Sequence, residues 1–144
     1  MIINGKFIYL KSISIKDSFF IYNLRKKKKI SLYLHKPPTS INHQKNWIIN
    51  NIKNKKTLDF IIVNKKTRKR IGTIGLDKIK TLSAEWGRWI SIGQTHENIE
   101  AILILLNYGF YTIKLKEIYS LTNINNNKVV NFHKNTNSIY KGIK

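Results

Sequence analysis

Cysteine is absent from this chain of 144 residues, which excludes disulfide scaffolds, thiol nucleophiles and cysteine-ligated zinc in one step. A reducing, cytoplasmic compartment is the expected setting. Carboxylates are scarce: 7 Asp plus Glu stand against 27 Lys plus Arg, a formal net charge of +20. Proline occurs only as the pair Pro37 and Pro38, and there is no Gly/Ser-rich linker or internal repeat. Residues 1–15 lack the basic start, continuous apolar run and small-residue cleavage site of a secretory signal, so no export is expected. The longest apolar stretch, 99–113, is interrupted by Asn107 and Gly109. It falls short of the roughly 20 residues that a spanning helix needs, reads as a buried helix, and gives no reason to expect a membrane partner.

What is present points to a folded protein. An apolar fraction of 42%, with 11% aromatics, is too high for a chain disordered throughout. The length suits one domain over residues 1–144, burying about two thirds of its unfolded surface. The charge invites a nucleic-acid partner, but only Arg25, Arg68, Arg70 and Arg88 are arginine, the residue that base reading and bidentate phosphate contacts favour. Lysine, isoleucine and asparagine are over-used together, the mark of compositional drift in a basic protein, so nucleic acid is not the expected partner. The positive field still attracts polyanions, a phosphorylated cofactor among them. His35, His43, His96 and His133 are scattered without the i, i+4 spacing of a helical zinc site, and no metal is expected. Nucleophile-elbow and phosphate-loop motifs are also missing.

Along the chain, residues 6–13 read as a first strand. Ser14 followed by Asp17 resembles a capping box that opens a helix to about residue 28, closed by the basic run 25–29. Ser40 caps a second helix through Trp47 to about residue 53, with Ile41, Ile48 and Ile52 on one face. Leu58, Phe60 and Ile62 then alternate with Asp59 and Ile61, and Ile71, Ile74 and Leu76 follow a polar gap. These form two strands joined by a turn that holds Lys65, Lys66, Arg68, Lys69 and Arg70. A strand at 83–92, a helix at 98–113, a strand at 117–123, a short helix at 126–134 and a last strand at 138–143 complete the order. Such an alternation implies an α/β (mixed α+β) chain with helices on both faces of a mixed sheet. Strand alternation puts Trp86 and Trp89 on opposite faces, and Glu85 with Gly87 and Trp89 on one.

Near the middle, Ala84-Glu85-Trp86-Gly87-Arg88-Trp89-Ile90 leads into Gly93-Gln94-Thr95-His96-Glu97-Asn98 and an apolar helix. A strand, a polar turn and a buried helix make an anion site, because the first free N–H groups of the helix face the turn. Leu24-Arg25, Tyr33-Leu34, Trp47, Ile71-Gly72-Thr73-Ile74-Gly75-Leu76, Glu100-Ala101, Tyr108-Gly109-Phe110, and Asn126 with Val129, Phe132 and His133 extend the pattern over the whole chain. In this order the segments resemble the Gcn5-related N-acetyltransferase (GNAT) superfamily, most closely the branch of ribosomal-protein N-terminal and amino-sugar N-acetyltransferases.

The resemblance implies a central mixed, mostly antiparallel sheet of six to seven strands. It also implies direct transfer of an acetyl group from acetyl-CoA to an amine where two central strands splay apart. It makes Glu85 the acceptor of the amine's proton and His133 the acid for the departing thiolate, a transfer that histidine performs near neutral pH. Ile90, Ser91, Ile92, Asn126 and Phe132 would meet the pantetheine arm, and Gln94, Thr95, His96, Glu97 and Asn98 would form the diphosphate turn. Arg25, Tyr33, Trp47, Trp86 and Arg88 would wall the acceptor pocket. The pattern departs from the family at that turn, where closely spaced small residues are usual. Here no glycine follows Gly93, and Glu97 brings negative charge. Asn137 stands where glycine is usual, and the chain stops at Lys144, so either the C-terminal hairpin is abbreviated or a partner subunit in a homodimer supplies the last strand.

An amino sugar or nucleotide-linked amino sugar is the expected acceptor, since a +20 protein repels polyamines. A protein N-terminal amine is the alternative acceptor. A non-catalytic binding module on the same fold, with the cofactor lost, is the alternative from another class.

Overall fold

A computed structural model describes residues 1–27 and 36–143 of the chain. Six strands lie side by side in chain order: β1 (Ile2–Asn4), β2 (Ile8–Ser12), β3 (Leu58–Asn64), β4 (Arg70–Asp77), β5 (Ser83–Ser91) and β6 (Glu117–Tyr119). The first five pair antiparallel and β6 runs parallel to β5. Between them lie α1 (Ser18–Lys26), α2 (Ile41–Lys53), α3 (Thr95–Asn107) and α4 (Asn127–Asn135). This is the mixed, mostly antiparallel sheet with helices on both faces that the sequence leads one to expect.

Local signals explain the starts of the helices. The backbone N–H and Oγ of Ser14 donate to Asp17 Oδ2 at 2.9 and 3.0 Å, closing a short 3-10 turn (Ile15–Asp17) that leads into α1. The Asp17 carboxylate is fully buried and also meets Lys11 Nζ at 3.2 Å and Arg70 Nε at 3.3 Å, so the cap fastens α1 to β2 and β4. Ser40 Oγ accepts from His43 N at 3.1 Å and starts α2, leaving fewer orphan donors at that end.

Two apolar layers form on either side of the sheet. Ile8, Leu10, Phe60, Ile62, Ile74, Leu76, Ala84 and Trp86 pack beneath Ala101, Ile102 and Leu105 of α3. On the opposite face Ile61 and Val63 meet Ile21 of α1 and Ile48 of α2. Each fully buried aliphatic side chain contributes about 1.5–3 kcal/mol, and the period-2 pattern of β3 supplies both layers at once. Gly72 is required by close approach, since a Cβ there would stand 2.4 Å from Ile90 O.

The structure differs from these expectations at four points. The edge strand β1 was not anticipated, because a three-residue strand, largely exposed, leaves no readable period. Residues 138–143 carry no secondary structure, so the expected last strand does not form. Strand β6 ends at Tyr119 rather than at residue 123, and α3 continues as a π-turn (Tyr108–Thr112).

Candidate active site

Pairing between β5 and β6 runs from Ser83 opposite Glu117 to Glu85 opposite Tyr119 and ends there, whereas β5 continues to Ser91. Beyond Glu85, that edge of β5 has no strand partner among the described residues. A cleft of about 120 Å³ lies in the gap. Its walls are the 86–89 stretch of β5, residues 120–123, and Asn126, Val129 and His133 at α4.

His133 projects from α4 into this lining. Its Nε2 is 2.9 Å from Ser120 Oγ and its Nδ1 is 3.3 Å from Ser138 Oγ, so both ring nitrogens meet hydroxyls that can donate or accept. Burial pushes its pKa below the usual histidine value, which favours the neutral ring. The imidazole packs 5.6 Å from the Trp86 ring, and Trp86, Trp89 and Phe132 stack around one another at 6.0–6.4 Å. Trp89 Nε1 is buried there without a partner.

The grouping of Trp86 with Trp89 corrects the expectation that they face opposite ways. Thr73 pairs with Ile90 and Gly75 with Gly87, so β5 carries one residue more than β4 in this interval. Arg88 takes up the extra length at φ 48°, the left-handed conformation that non-glycine residues rarely adopt. Thr73 Oγ1 donates to Arg88 O at 3.0 Å and holds the bulge. Trp89 therefore leaves the face of Glu85 and Gly87 and joins that of Trp86.

The expected acceptor walls likewise divide between the two faces. Trp86 belongs to the α3/α4 side, while the Arg88 side chain crosses to the α1/α2 side. There its Nε sits 2.9 Å from Asp59 Oδ1, its NH1 sits 3.6 Å from Asp77 Oδ2, and the guanidinium lies over the Trp47 ring at 5.7 Å. Arg25 lies close enough for burial and the Arg88 charge to lower its pKa. Tyr33 lies outside the described residues. Asp59 also accepts from Asn51 Nδ2. Burial raises its pKa from 3.8 to about 6, although Arg88 and Asn51 both act to lower it. No signal of spacing or motif distinguished Asp59, Ser120 or Ser138 in the sequence, because their roles depend on neighbours distant in the chain.

Glu85 does not line the cleft. It stands on the Arg88 side-chain face, bonded to Lys78 Nζ at 2.5 Å, with 19% of its side chain exposed. At the end of β5, Ile92 N donates to Ile71 O, and Ser91 Oγ accepts from Gly93 N at 2.9 Å. Ile90 is buried and Ile92 exposed. At the start of α3, Gln94, Thr95 and His96 are exposed, whereas Glu97 and Asn98 are buried and face inward. Asn126 precedes α4 and lines the cleft, without a side-chain cap bond. Among the described residues no group of three or more potential metal ligands occurs, and no helix is long and apolar enough to cross a membrane.

A family model described as an acetyltransferase (GNAT) domain matches residues 8–136. The chain belongs to the GNAT acetyltransferase family. This GNAT fold is similar to apo FdhC, a nucleotide-linked sugar GNAT, at 27% identity and a TM-score of 0.82, over 94% of this chain and 80% of that one. A GNAT-family acetyltransferase from Bacillus anthracis superposes with a TM-score of 0.84 at 18% identity, over 99% of this chain and 86% of that one. The spermidine N-acetyltransferase from Vibrio cholerae, in complex with CoA and spermine, gives 0.77 at 23% identity, over 91% and 80%. The last two likenesses bear on the fold alone. A comparison with curated protein sequences gives no match.

GNAT enzymes take their acetyl group from acetyl-CoA. At the cleft the residues fit its pantetheine arm: an unpaired strand edge, a buried indole N–H without a partner, and Asn126 surround a narrow opening. At the entrance to α3, the amides of Thr95 and His96 precede the first intrahelical bond, Asn98 N to Gln94 O, and are open to an anion.

Proposed function

We propose that this protein transfers an acetyl group from acetyl-CoA to the primary amine of an amino sugar or nucleotide-linked amino sugar. The observation that carries the reading is the opening between β5 and β6, which has an acid candidate on one side of the sheet and carboxylates on the other. The donor, when bound, supplies an activated acetyl thioester. Glu85, released from Lys78, accepts the proton of the incoming ammonium on the α1/α2 side. The exposed strand edge of β5 offers backbone donors to the carbonyl oxygen, where charge develops. His133 must first be protonated to give a proton to the departing thiolate, and the Ser120 hydroxyl, 2.9 Å away, orients the ring.

Ile90, Ser91, Ile92, Asn126 and Phe132 serve the pantetheine arm, and Arg25, Trp47 and Arg88 the acceptor. The likeness to a nucleotide-linked sugar GNAT supports an anionic acceptor, which a +20 protein attracts. Calorimetric titration with acetyl-CoA at low and high salt tests the donor, followed by an acceptor screen that begins with amino sugars. Saturable binding that survives salt, with transfer to a sugar amine, is expected. Binding that vanishes with salt would refute the reading and favour a non-catalytic binding module.

A further inference from the structure

The entrance to α3 is already occupied by the protein's own carboxylate. Glu97 is only 5% exposed. Its Oε1 accepts from Gln94 N at 3.0 Å and its Oε2 from Asn64 Nδ2 at 2.7 Å, so it caps the helix and ties that cap to the end of β3. Gly93 N is committed to Ser91 Oγ. The Gly93 and Gln94 amides are therefore spoken for and the Glu97 amide belongs to the capping box with Gln94, which leaves those of Thr95 and His96 ahead of the first intrahelical bond.

A second feature marks the same spot. Asn98 is 9% exposed, and its Nδ2 donates to Gly93 O at 3.2 Å, yet its Oδ1 is buried without a partner. That oxygen lies 3.2 Å from the position a Cβ on Gly93 would take. Two oxygen acceptors thus crowd the turn from inside. Cations lie around its rim: Lys65 Nζ bonds Gly5 O at 2.8 Å, Lys6 stands over the Phe7 ring, and that ring packs against His96 at 4.8 Å. A negative group in the first turn favours the helix dipole and, for the same reason, opposes a second anion there.

We infer that Glu97 is a built-in anion that competes with the diphosphate of the cofactor for the N-terminus of α3, and so sets this chain's CoA affinity below what the fold would otherwise give. The inference rests on the acetyl-CoA reading above. The phosphates then engage the Thr95 and His96 amides and the surrounding lysines, not the Gln94 amide. Glu97 then acts as an affinity-setting residue and not as a ligand of the cofactor.

Calorimetry with CoA on the full chain, wild type beside Glu97→Gln and Glu97→Ala, separates this role from a purely structural one. Glu117→Gln, on the exposed start of β6, makes the same change in net charge far along the sequence from the turn. The neutral Glu97 variants should bind CoA roughly fivefold or more tightly, about 1 kcal/mol, while Glu117→Gln stays within twofold of wild type. Unchanged or weaker binding by folded Glu97 variants overturns the inference, as does an equal gain in Glu117→Gln. Failure of both Glu97 variants to fold also overturns it, because the carboxylate would then be a structural cap. Wild type that binds CoA with unchanged Glu97 variants defeats this inference and leaves the acetyltransferase reading standing. Wild type that fails to bind, with a gain in the variants, supports the inference and removes the donor from the native chain; no binding by any form overturns both.

Discussion

Trp86 and Trp89 lie on one side of the sheet with their ring centroids 6.0 Å apart, although they stand three positions apart along a strand. The bulge at Arg88 makes this possible, and the Thr73 hydroxyl holds it through the Arg88 carbonyl. Thr73→Val keeps the side-chain shape and removes that donor. It should cost about 1 kcal/mol in urea unfolding and shift the tryptophan emission as the pair loosens. Unaltered stability and emission would show that the bulge holds itself.

Asp59 gives the protein a pH dependence with a definite sign. Burial raises its folded pKa to about 6 from 3.8, so the native state binds the proton more firmly than the unfolded chain does. The stability this contributes is full below about pH 4 and is lost as pH rises through 6, a difference of about 3 kcal/mol. Against Asp59→Asn, wild-type stability should therefore decline between pH 4 and 7. A constant difference across that range would rule out a raised carboxyl.

His133 works in the opposite direction. Its pKa is lowered by burial, so its contribution is present above the unfolded value near 6.5 and falls away as pH drops through the folded one. Wild type should lose melting temperature below pH 6.5 more steeply than His133→Phe. The same variant should reduce acetyl transfer about tenfold or more at neutral pH. Full activity in His133→Phe would move the proton donor elsewhere.

Glu85→Gln should lower turnover with little change in melting temperature, because its partner Lys78 is exposed and exposed pairs contribute little. A lysine held by Glu85 in the resting protein also implies activity that rises with moderate salt before general screening sets in. Turnover equal to wild type would show that Glu85 is only a surface ion-pair partner.

Glu100 is a structural clamp. Its carboxylate accepts the backbone N–H groups of Lys6, Phe7 and Ile8, the latter two at 2.8 and 2.9 Å, and so fixes the β1–β2 turn to α3. A Cβ on Gly5 would stand 2.7 Å from Glu100 Cδ. Both Glu100→Ala and Gly5→Ala should destabilise the fold by about 1.5–3 kcal/mol, as expected for charge-assisted bonds at an exposed to half-buried turn. A loss below 1 kcal/mol in chemical denaturation would count against the clamp.

Local rules made most elements legible from the sequence. The Ser14–Asp17 box, the Ser40 cap, the alternation through Leu58, Phe60 and Ile62, and the apolar run before Gly109 depend on neighbours within a few residues, and each appears close to its expected place. Composition likewise settled the scarcity of carboxylates and the lack of thiol chemistry. Tertiary structure decided the rest, for reasons that sequence spacing does not encode. A bulge is defined by the partner strand, so the faces of Trp89 and Arg88 follow from the β4 register. The Asp59 pKa follows from burial between sheet and helices. The direction of the Glu97 carboxylate, inward to Gln94 and Asn64 and not outward to a ligand, depends on β3 ending beside the first turn of α3.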